Sequence, residues 1–131
     1  MKKKQLSPQE LQARAERVYA ISSVVPLAQA PEQTLRYYTH LTDVRLRSAL
    51  EPDWGIYIAE SSKVVRRALH AGHRPLSFLM SEKWADDLSD VLTKYNNIPA
   101  FVGSEEELER ITGFHLHRGA LACLLYTSDA A

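Results

Sequence analysis

The sequence predicts an α/β fold, with a parallel or mixed sheet covered by helices on both faces. Short apolar runs typical of buried strands alternate with amphipathic segments of helical periodicity. Serines suited to capping precede these helical segments, and isolated glycines follow several of them. A length of 131 residues suits one domain with appendages. The predicted architecture is therefore a three-layer α/β/α sandwich with an extra N-terminal helix.

The first predicted helix begins at Ser7-Pro8-Gln9-Glu10. Ser7 and Glu10 fit the capping-box pattern, and proline suits the first helical position. Apolar residues recur at helical spacing to about Ser22. The stretch from Val25 to Glu32 contains Pro26 near its start and Pro31 near its end, and it is predicted to be a linker. Residues 1–35 are therefore expected to form a helix and linker, weakly tied to the rest of the chain.

Strands and helices alternate through the rest of the chain. Four strands are predicted, at Ile56–Ala59, Leu76–Met80, Ile98–Val102 and from Gly119–Ala122 onward. Three helices are predicted to start after capping serines, at Ser61 or Ser62, at Ser81 and at Ser104. The expected ends of these helices are Gly72, Asn96-Asn97 and Gly113. The apolar face of the first of them is predicted to hold Val64, Val65, Ala68 and Leu69.

The formal net charge of zero hides an uneven distribution of charge. Residues 1–50 carry eight Lys or Arg and four Asp or Glu, and residues 51–131 carry eight and twelve. Residues 56–80 are mainly basic, and residues 81–109 are mainly acidic. Two interpretations stay open: a basic surface facing a polyanion with an acidic back, or helices with ordinary charged faces.

Composition excludes several classes of protein. The single cysteine, Cys123, rules out an internal disulfide framework and a cysteine-based zinc site. No apolar run approaches the roughly 18 residues of a spanning helix, and no apolar stretch follows the basic N-terminus as in a secretory signal. The prediction is a cytoplasmic protein without membrane association.

Most signatures of catalysis are absent from the sequence. It contains no glycine-rich phosphate loop, no G-x-S-x-G and no H-E-x-x-H. His115 and His117 would share one side of a strand, but zinc requires further ligands and none lies nearby in sequence. His70 and His73 flank Gly72, where contact with the helix dipole accounts for them. No metal site is predicted.

Cationic residues are the best candidates for a binding function. Lys63, Arg66 and Arg67 lie on one predicted helix, and at least two of them share a face. Arginine suits phosphate because its planar guanidinium donates paired hydrogen bonds, although a solvated helix surface would have the same pattern. Tyr37 and Tyr38 are candidates for base stacking if exposed, or for the core if buried. Glu60 directly follows a strand, where α/β sheets expose functional groups.

The order of these segments resembles the N-terminal domain of SpoU/TrmH-type RNA methyltransferases of the SPOUT superfamily. The resemblance covers about residues 36–122 and rests on seven segments or residues: Leu41-Thr42-Asp43, Arg45-Leu46-Arg47, Gly55 to Glu60, Val64 to Gly72, Pro75, Gly113, and His117 to Ala122. The sequence departs from the family pattern at Ser61, where glycine is usual.

The resemblance implies a substrate-recognition domain with the fold of kink-turn-binding ribosomal proteins. Such a domain holds structured tRNA or rRNA beside a knotted domain that binds S-adenosylmethionine and methylates a ribose 2′-hydroxyl. The family's catalytic and cofactor motifs lie in that second domain, so the chain itself is expected to be inactive and to hold no cofactor. The full-length protein is expected to be a homodimer. The residues expected to contact RNA are Arg45, Arg47, Glu60, Lys63, Arg66, Arg67, His117 and Arg118.

The C-terminal residues depart from the family pattern. Residues 123–131 resemble the translation of a sequencing-library adapter, so they are expected to be a non-native tail. The recognition domain is then expected to span residues 36–122, with the catalytic domain absent from the chain.

Two other functions remain open from the sequence. One is a free-standing RNA-binding protein of the kink-turn-binding ribosomal type, which has no methyltransferase domain. The other is a protein-interaction module that uses the acidic surface of residues 82–109. Affinity for RNA that falls with salt would distinguish the RNA-binding functions from the protein-interaction module.

Overall fold

A computed structural model describes residues 6–39, 56–113 and 120–125. The helices in these ranges are α1 (Pro8–Tyr19), α2 (Glu32–Leu35), α3 (Ser62–His70), α4 (Glu82–Asp87), α5 (Ser89–Lys94) and α6 (Glu105–Thr112). The strands are β1 (Val24–Pro26), β2 (Ile56–Glu60), β3 (Arg74–Ser81), β4 (Ala100–Gly103) and β5 (Ala120–Leu125). A short 3₁₀ helix, Leu27–Gln29, follows β1. The predicted α/β class is confirmed.

The five strands form one mixed sheet in the order β1-β4-β3-β5-β2. Strands β1, β4 and β3 run parallel, and β5 runs antiparallel to both β3 and β2. Leu79 of β3 is in register with Phe101 of β4 on one side and with Leu121 of β5 on the other. The central strands are apolar at successive positions because both of their faces are buried.

Alternation along the strands divides the core between the two faces of the sheet. On one face Phe78, Met80 and Leu124 pack in a cluster with side chains of α1, α3, α4 and α5. On the other face Leu79 and Leu121 pack in a second cluster with Leu27, Tyr38 and Leu108. Helices therefore contact both faces of the sheet within the described residues.

The N-terminal segment is more closely integrated than its sequence predicts. The predicted capping box is present: Ser7 N–H donates to Glu10 Oε1 at 2.8 Å, and Glu10 N–H donates to Ser7 Oγ at 3.1 Å. Val18 of α1 is fully buried in the first core cluster. The predicted linker is wrong at its start, because Val25 and Pro26 belong to β1, which pairs with β4. Strand β1 is therefore an edge strand of the sheet, and the local sequence does not indicate it.

The helix predicted after Ser81 is two helices rather than one. The backbone leaves the helical conformation at Leu88 (φ −101°, ψ 19°), between α4 and α5. Leu88 is fully buried, as are Ala85 before it and Leu92 after it. Ser81 occupies the N-cap position, but its side chain makes no capping hydrogen bond. The predicted position of the cap is therefore confirmed, but the predicted hydrogen bond from the helix backbone to the Ser81 hydroxyl is wrong.

The junction between β2 and α3 depends on Ser61. Its hydroxyl accepts a hydrogen bond from Val64 N–H at 3.4 Å, which confirms the predicted cap. Its own N–H donates to the carbonyl oxygen of Ala120 in β5 at 2.8 Å. The backbone of Ser61 has φ +80° and ψ 150°, a conformation that is strained for any residue other than glycine.

The predicted ends of α3 and α6 are confirmed. Gly72 and Gly113 have φ of +93° and +88°, the left-handed conformation that glycine adopts without steric cost. One predicted core residue of α3 is wrong: Val64 is 42% exposed, whereas Val65 and Ala68 are buried. Val64 is on the solvent side because the contact with the sheet follows residues 65, 68 and 69.

Tyr38 links the segment after α2 to the middle of the sheet. Its ring is fully buried, and its hydroxyl lies 2.6 Å from Ser77 Oγ. The same hydroxyl oxygen accepts a hydrogen bond from Cys123 N–H at 3.1 Å. Stacking of Tyr38 on RNA bases is therefore excluded, and its core interpretation is confirmed. Tyr37 beside it is half-buried.

The start of the predicted non-native tail lies within a strand. Residues 123–125 complete β5, and Cys123 and Leu124 are fully buried between β3 and β2. The domain boundary predicted after Ala122 therefore falls inside a strand. Burial raises the pKa of the Cys123 thiol to about 12.

Replacing Ser61 with glycine is expected to stabilise the fold. Ser61→Gly removes a strain of roughly 1–3 kcal/mol. It loses a few tenths of a kcal/mol of capping and roughly 0.5–1 kcal/mol from the flexibility of glycine in the unfolded chain, so the free energy of unfolding should rise by about 1 kcal/mol. The unfolding temperature should rise by roughly 4 °C. Thermal and urea unfolding measure both quantities. Ser62→Gly, one residue later at the start of α3, is the control and should lower stability. A destabilised Ser61→Gly protein would show that any strain at this position is smaller than the loss of capping and the entropic cost of glycine.

Candidate polyanion-binding groove

Helix α3 presents a basic face to solvent. Four side chains of this face are exposed: Lys63, Arg66, Arg67 and His70. The two arginines each lie three or four residues from Lys63 on one side and from His70 on the other. Residues with this spacing neighbour one another on a helix surface. The opposite face carries the buried residues Val65 and Ala68. The predicted sharing of a face among the cations of this helix is confirmed.

Arg66 is held by helix α5. Its Nη1 and Nη2 donate to the two carboxylate oxygens of Asp90, each at 2.9 Å. Nη2 also donates to the carbonyl oxygen of Asp87 at 3.1 Å. The hydrogen bond from Arg66 lowers the pKa of Asp90, and the same bond raises the pKa of Arg66. The ion pair connects α3 to α5 at the protein surface.

An open groove of about 540 Å³ lies between α3 and α5. Helix α3 lines it with Arg66, Arg67, Leu69 and His70, and the α5 side lines it with Asp90, Val91, Lys94 and Tyr95. Three cationic side chains thus face one carboxylate, giving a local net charge of +2 with histidine counted as neutral. Lys63 adds a further positive charge on the same face of α3. The groove therefore suits an anionic ligand.

The eight residues predicted to contact RNA divide into two sets. Arg45, Arg47, His117 and Arg118 lie outside the described residues. Of the other four, Arg66 and Arg67 line the groove, and Lys63 lies on the same exposed face one turn earlier. Glu60 is exposed at the end of β2, directly before the strained Ser61.

Six of the eight residues that line the groove were not among the predicted contacts, and Lys94 and Tyr95 are two of them. Lys94 is the last residue of α5 and Tyr95 follows it as the C-cap, in a mainly acidic segment of the sequence. Local periodicity gave no signal for either residue, because their proximity to α3 depends on how two distant helices pack on the sheet. The ammonium nitrogen of Lys94 lies 5.6 Å from the centroid of the Tyr95 ring.

The acidic segment is partly paired with basic and polar residues from elsewhere. Arg17 of α1 contacts Asp86 with its Nη2 3.1 Å from Oδ2, and Tyr19 Oη donates to Glu82 at 3.1 Å. Arg66 contacts Asp90 in the same way across the groove. Three of the acidic side chains, Glu82, Asp86 and Asp90, therefore join helices to one another rather than forming only a solvated back. These contacts also leave less free charge for a protein-interaction surface of residues 82–109.

His73 has a more specific partner than the helix dipole suggested by the sequence. Its Nδ1 is hydrogen-bonded to the hydroxyl of Tyr57 in β2, and the two rings meet edge to face. Burial raises the pKa of Tyr57. This pair joins the loop after α3 to the edge of the sheet, away from the groove-lining residues.

The described residues show no metal centre or membrane span. Within residues 6–39, 56–113 and 120–125, no three His, Cys, Asp or Glu side chains come together in a group able to hold a metal ion. In the same part of the chain, no helix combines the length and apolar character needed to cross a membrane.

Comparison with known proteins adds no family assignment. A scan against protein-family models finds no match, and a search of curated proteins also finds none. The function of this chain is therefore inferred from its sequence pattern and from the groove.

The pair of Arg66 and Asp90 should make stability depend on pH. Because the folded-state pKa of Asp90 is lowered, the pair stabilises the fold above the unfolded-state value near 3.9 and loses this effect as pH falls through the folded-state pKa. Asp90→Asn should therefore lower the free energy of unfolding at pH 7, by roughly 0.2–1 kcal/mol for so exposed a pair. The difference from the wild type should shrink as pH falls below the unfolded-state value and disappear once pH is below the folded-state pKa of Asp90. Urea unfolding across this pH range measures it, with Glu16→Gln of α1, an exposed carboxylate away from the helix N-terminus, as the control. A difference that persists unchanged at pH 3 would contradict the assignment.

Proposed function

We propose that the chain is the RNA-recognition domain of a SpoU/TrmH-type RNA 2′-O-methyltransferase, and that the basic groove contacts RNA phosphates. The main support for this proposal is the cluster of cationic side chains on one face of α3, to which a second helix adds Lys94. The residues on α3 are Lys63, Arg66, Arg67 and His70. Clustered cations neutralise phosphate and release the counterions of the nucleic acid, which supplies affinity without sequence specificity.

The conformation of Ser61 gives independent support to the family part of the proposal. The family usually has glycine at this position, and the backbone here has the positive φ that favours glycine. If the chain keeps the backbone conformation of the family but has serine in place of the usual glycine, Ser61 should have this positive φ. This match between the backbone conformation and the family's glycine concerns one residue, Ser61, between β2 and α3.

The groove suits recognition of RNA shape rather than of base sequence. Helical RNA has a deep, narrow major groove that side chains cannot enter, so contacts fall on phosphates and 2′-hydroxyls. Arg67 and Lys63 are cations on the same face, suited to successive phosphates. Glu60 cannot neutralise phosphate, but its carboxylate can accept a hydrogen bond from a 2′-hydroxyl.

The proposed role of this chain is binding, and methyl transfer is assigned to none of its residues. In the family, S-adenosylmethionine and the catalytic groups belong to the knotted domain. The proposed partner is a structured tRNA or rRNA held by this domain, and the proposed setting is the cytoplasm, where the full-length protein acts as a homodimer.

Loss of Arg67 should weaken RNA binding by reducing the number of phosphate contacts. For Arg67→Ala, the slope of log affinity against log salt concentration should become shallower by about 0.9 for each lost contact. Fluorescence anisotropy with a structured RNA over a salt series measures the slope. Arg110→Ala removes the same charge from α6 and is the matched control, expected to keep the slope. An unchanged slope for Arg67→Ala, or an equal change for Arg110→Ala, would remove Arg67 from the interface.

Removing Asp90 should strengthen RNA binding. In Asp90→Asn the guanidinium of Arg66 loses its ionic partner, and a negative charge leaves the groove, so affinity should rise several-fold at low salt. Glu106→Gln makes the same charge change on α6 and should alter affinity much less. The double variant Arg66→Gln/Asp90→Asn should lose the gain. Weaker binding by Asp90→Asn would mean that the ion pair itself positions the interface.

A further inference from the structure

A second pocket lies between α1 and α4, and it shares no lining residue with the groove. Its volume is about 460 Å³, within the range of sites for small ligands. Leu6, Ala13 and Trp84 form its apolar wall, and the first two of these are exposed. The rest of the lining consists of charged residues of both signs: Glu10, Arg14, Arg17, Lys83, Asp86 and Asp87. The pocket therefore offers a ligand an apolar surface beside charged groups.

Half of these charged groups already have partners within the protein. Arg17 donates to both carboxylate oxygens of Asp86, from Nε to Oδ1 at 3.3 Å and from Nη2 to Oδ2 at 3.1 Å. Glu10 accepts a hydrogen bond from Ser7 N–H in the first turn of α1, where the positive end of the helix dipole offsets its charge. These three side chains are therefore committed to the protein itself.

Arg14 and Lys83 are the cations left for a ligand. The Nε of Arg14 is buried and has no hydrogen-bond partner among the described residues. A buried donor of this kind calls for an explanation, and one explanation is an ion held by the same group. Lys83 is exposed and forms no ion pair with the described residues, and its ammonium nitrogen lies 5.4 Å from the centroid of the Trp84 ring. With Asp87 counted, the uncommitted groups carry an excess of one positive charge, which suits one carboxylate rather than a polyanion.

We infer that the pocket between α1 and α4 binds a carboxylate that lies next to an apolar side chain. The carboxylate accepts hydrogen bonds from the terminal nitrogens of Arg14 and from the Lys83 ammonium group, and the apolar group packs on Leu6 and Ala13. The charge of a guanidinium is delocalised over its nitrogens, so an anion at the terminal nitrogens offsets the burial of Nε. Two ligands share this chemistry: a free amino acid with an apolar side chain, and the C-terminal residue of a peptide. This function is separate from RNA binding.

The test uses N-acetyl-leucine as the probe and N-acetyl-leucinamide, which lacks the carboxylate, as the matched control. In NMR titrations of the isotope-labelled protein, the backbone amide signals of α1 and α4 should shift in a saturable way with N-acetyl-leucine and stay in place with the amide. Free leucine distinguishes the two sources. Tighter binding of leucine identifies a free amino acid, whose ammonium group contacts Asp87, and tighter binding of N-acetyl-leucine identifies a peptide C-terminus.

Removing either cation should weaken the binding of N-acetyl-leucine. Arg14→Gln and Lys83→Gln should each lower the affinity roughly tenfold, because each loses a hydrogen bond between charged groups. Asp87→Asn removes a negative charge from the pocket and should raise the affinity. Arg110→Gln removes a positive charge from α6, outside the pocket, and should behave like the wild type.

The first titration uses the wild-type protein, so it does not depend on the folding of a variant. No shift of the α1 and α4 signals up to the solubility limit of N-acetyl-leucine would overturn the site. Equal shifts with N-acetyl-leucinamide would overturn the role of the carboxylate, and an equal loss of affinity in Arg110→Gln would overturn the roles of Arg14 and Lys83. The proposed RNA binding stands or falls separately, because the groove and the pocket share no lining residue.

Discussion

The pairing of β3 with β5 is the constraint on which the rest of this structure depends. It joins the parallel strands β1, β4 and β3 to the antiparallel strands β5 and β2. Both strands are buried on both faces. Their backbone N–H and C=O groups must therefore form hydrogen bonds with neighbouring strands, and helices must cover their apolar side chains on each face. Two core clusters follow from the alternation of side chains, and the helices are placed by the cluster that each one covers.

The groove is a consequence of this packing. Helices α3 and α5 cover the same face of the sheet, and each buries its apolar side in the first cluster. Their polar sides then meet above the sheet, where the exposed ion pair of Arg66 and Asp90 connects them. The cations left beside this pair, Arg67 and Lys94, belong to different helices. A binding surface therefore forms at a point where two amphipathic helices pack on a shared core.

Ser61 lies where the sheet passes into this groove helix. Its N–H is bound to β5 and its hydroxyl caps α3, so two hydrogen bonds hold it in a conformation unfavourable for serine. Local strain of this kind persists only where surrounding structure determines the backbone. The same junction places the exposed Glu60 at the end of β2 and Lys63 in the first turn of α3. The strained residue thus lies between two of the residues proposed to contact RNA.

The sequence by itself determined the α/β class, the order of most elements, the capping serines Ser7 and Ser104, the left-handed Gly72 and Gly113, and the basic face of α3. These features depend on hydrogen bonds and periodicity within a few residues, which a local pattern records. Only the tertiary structure decided that Val25 joins the sheet, that the chain bends at Leu88, that Tyr38 is buried, and that Asp90 binds Arg66. The tertiary structure alone also decided the groove, because Lys94 and Tyr95 lie beside α3 only when both helices pack on the sheet. Except for the break at Leu88, which is a local change of backbone conformation at a buried residue, these features join residues far apart in sequence. Their contacts are set by packing on a common core rather than by any local pattern.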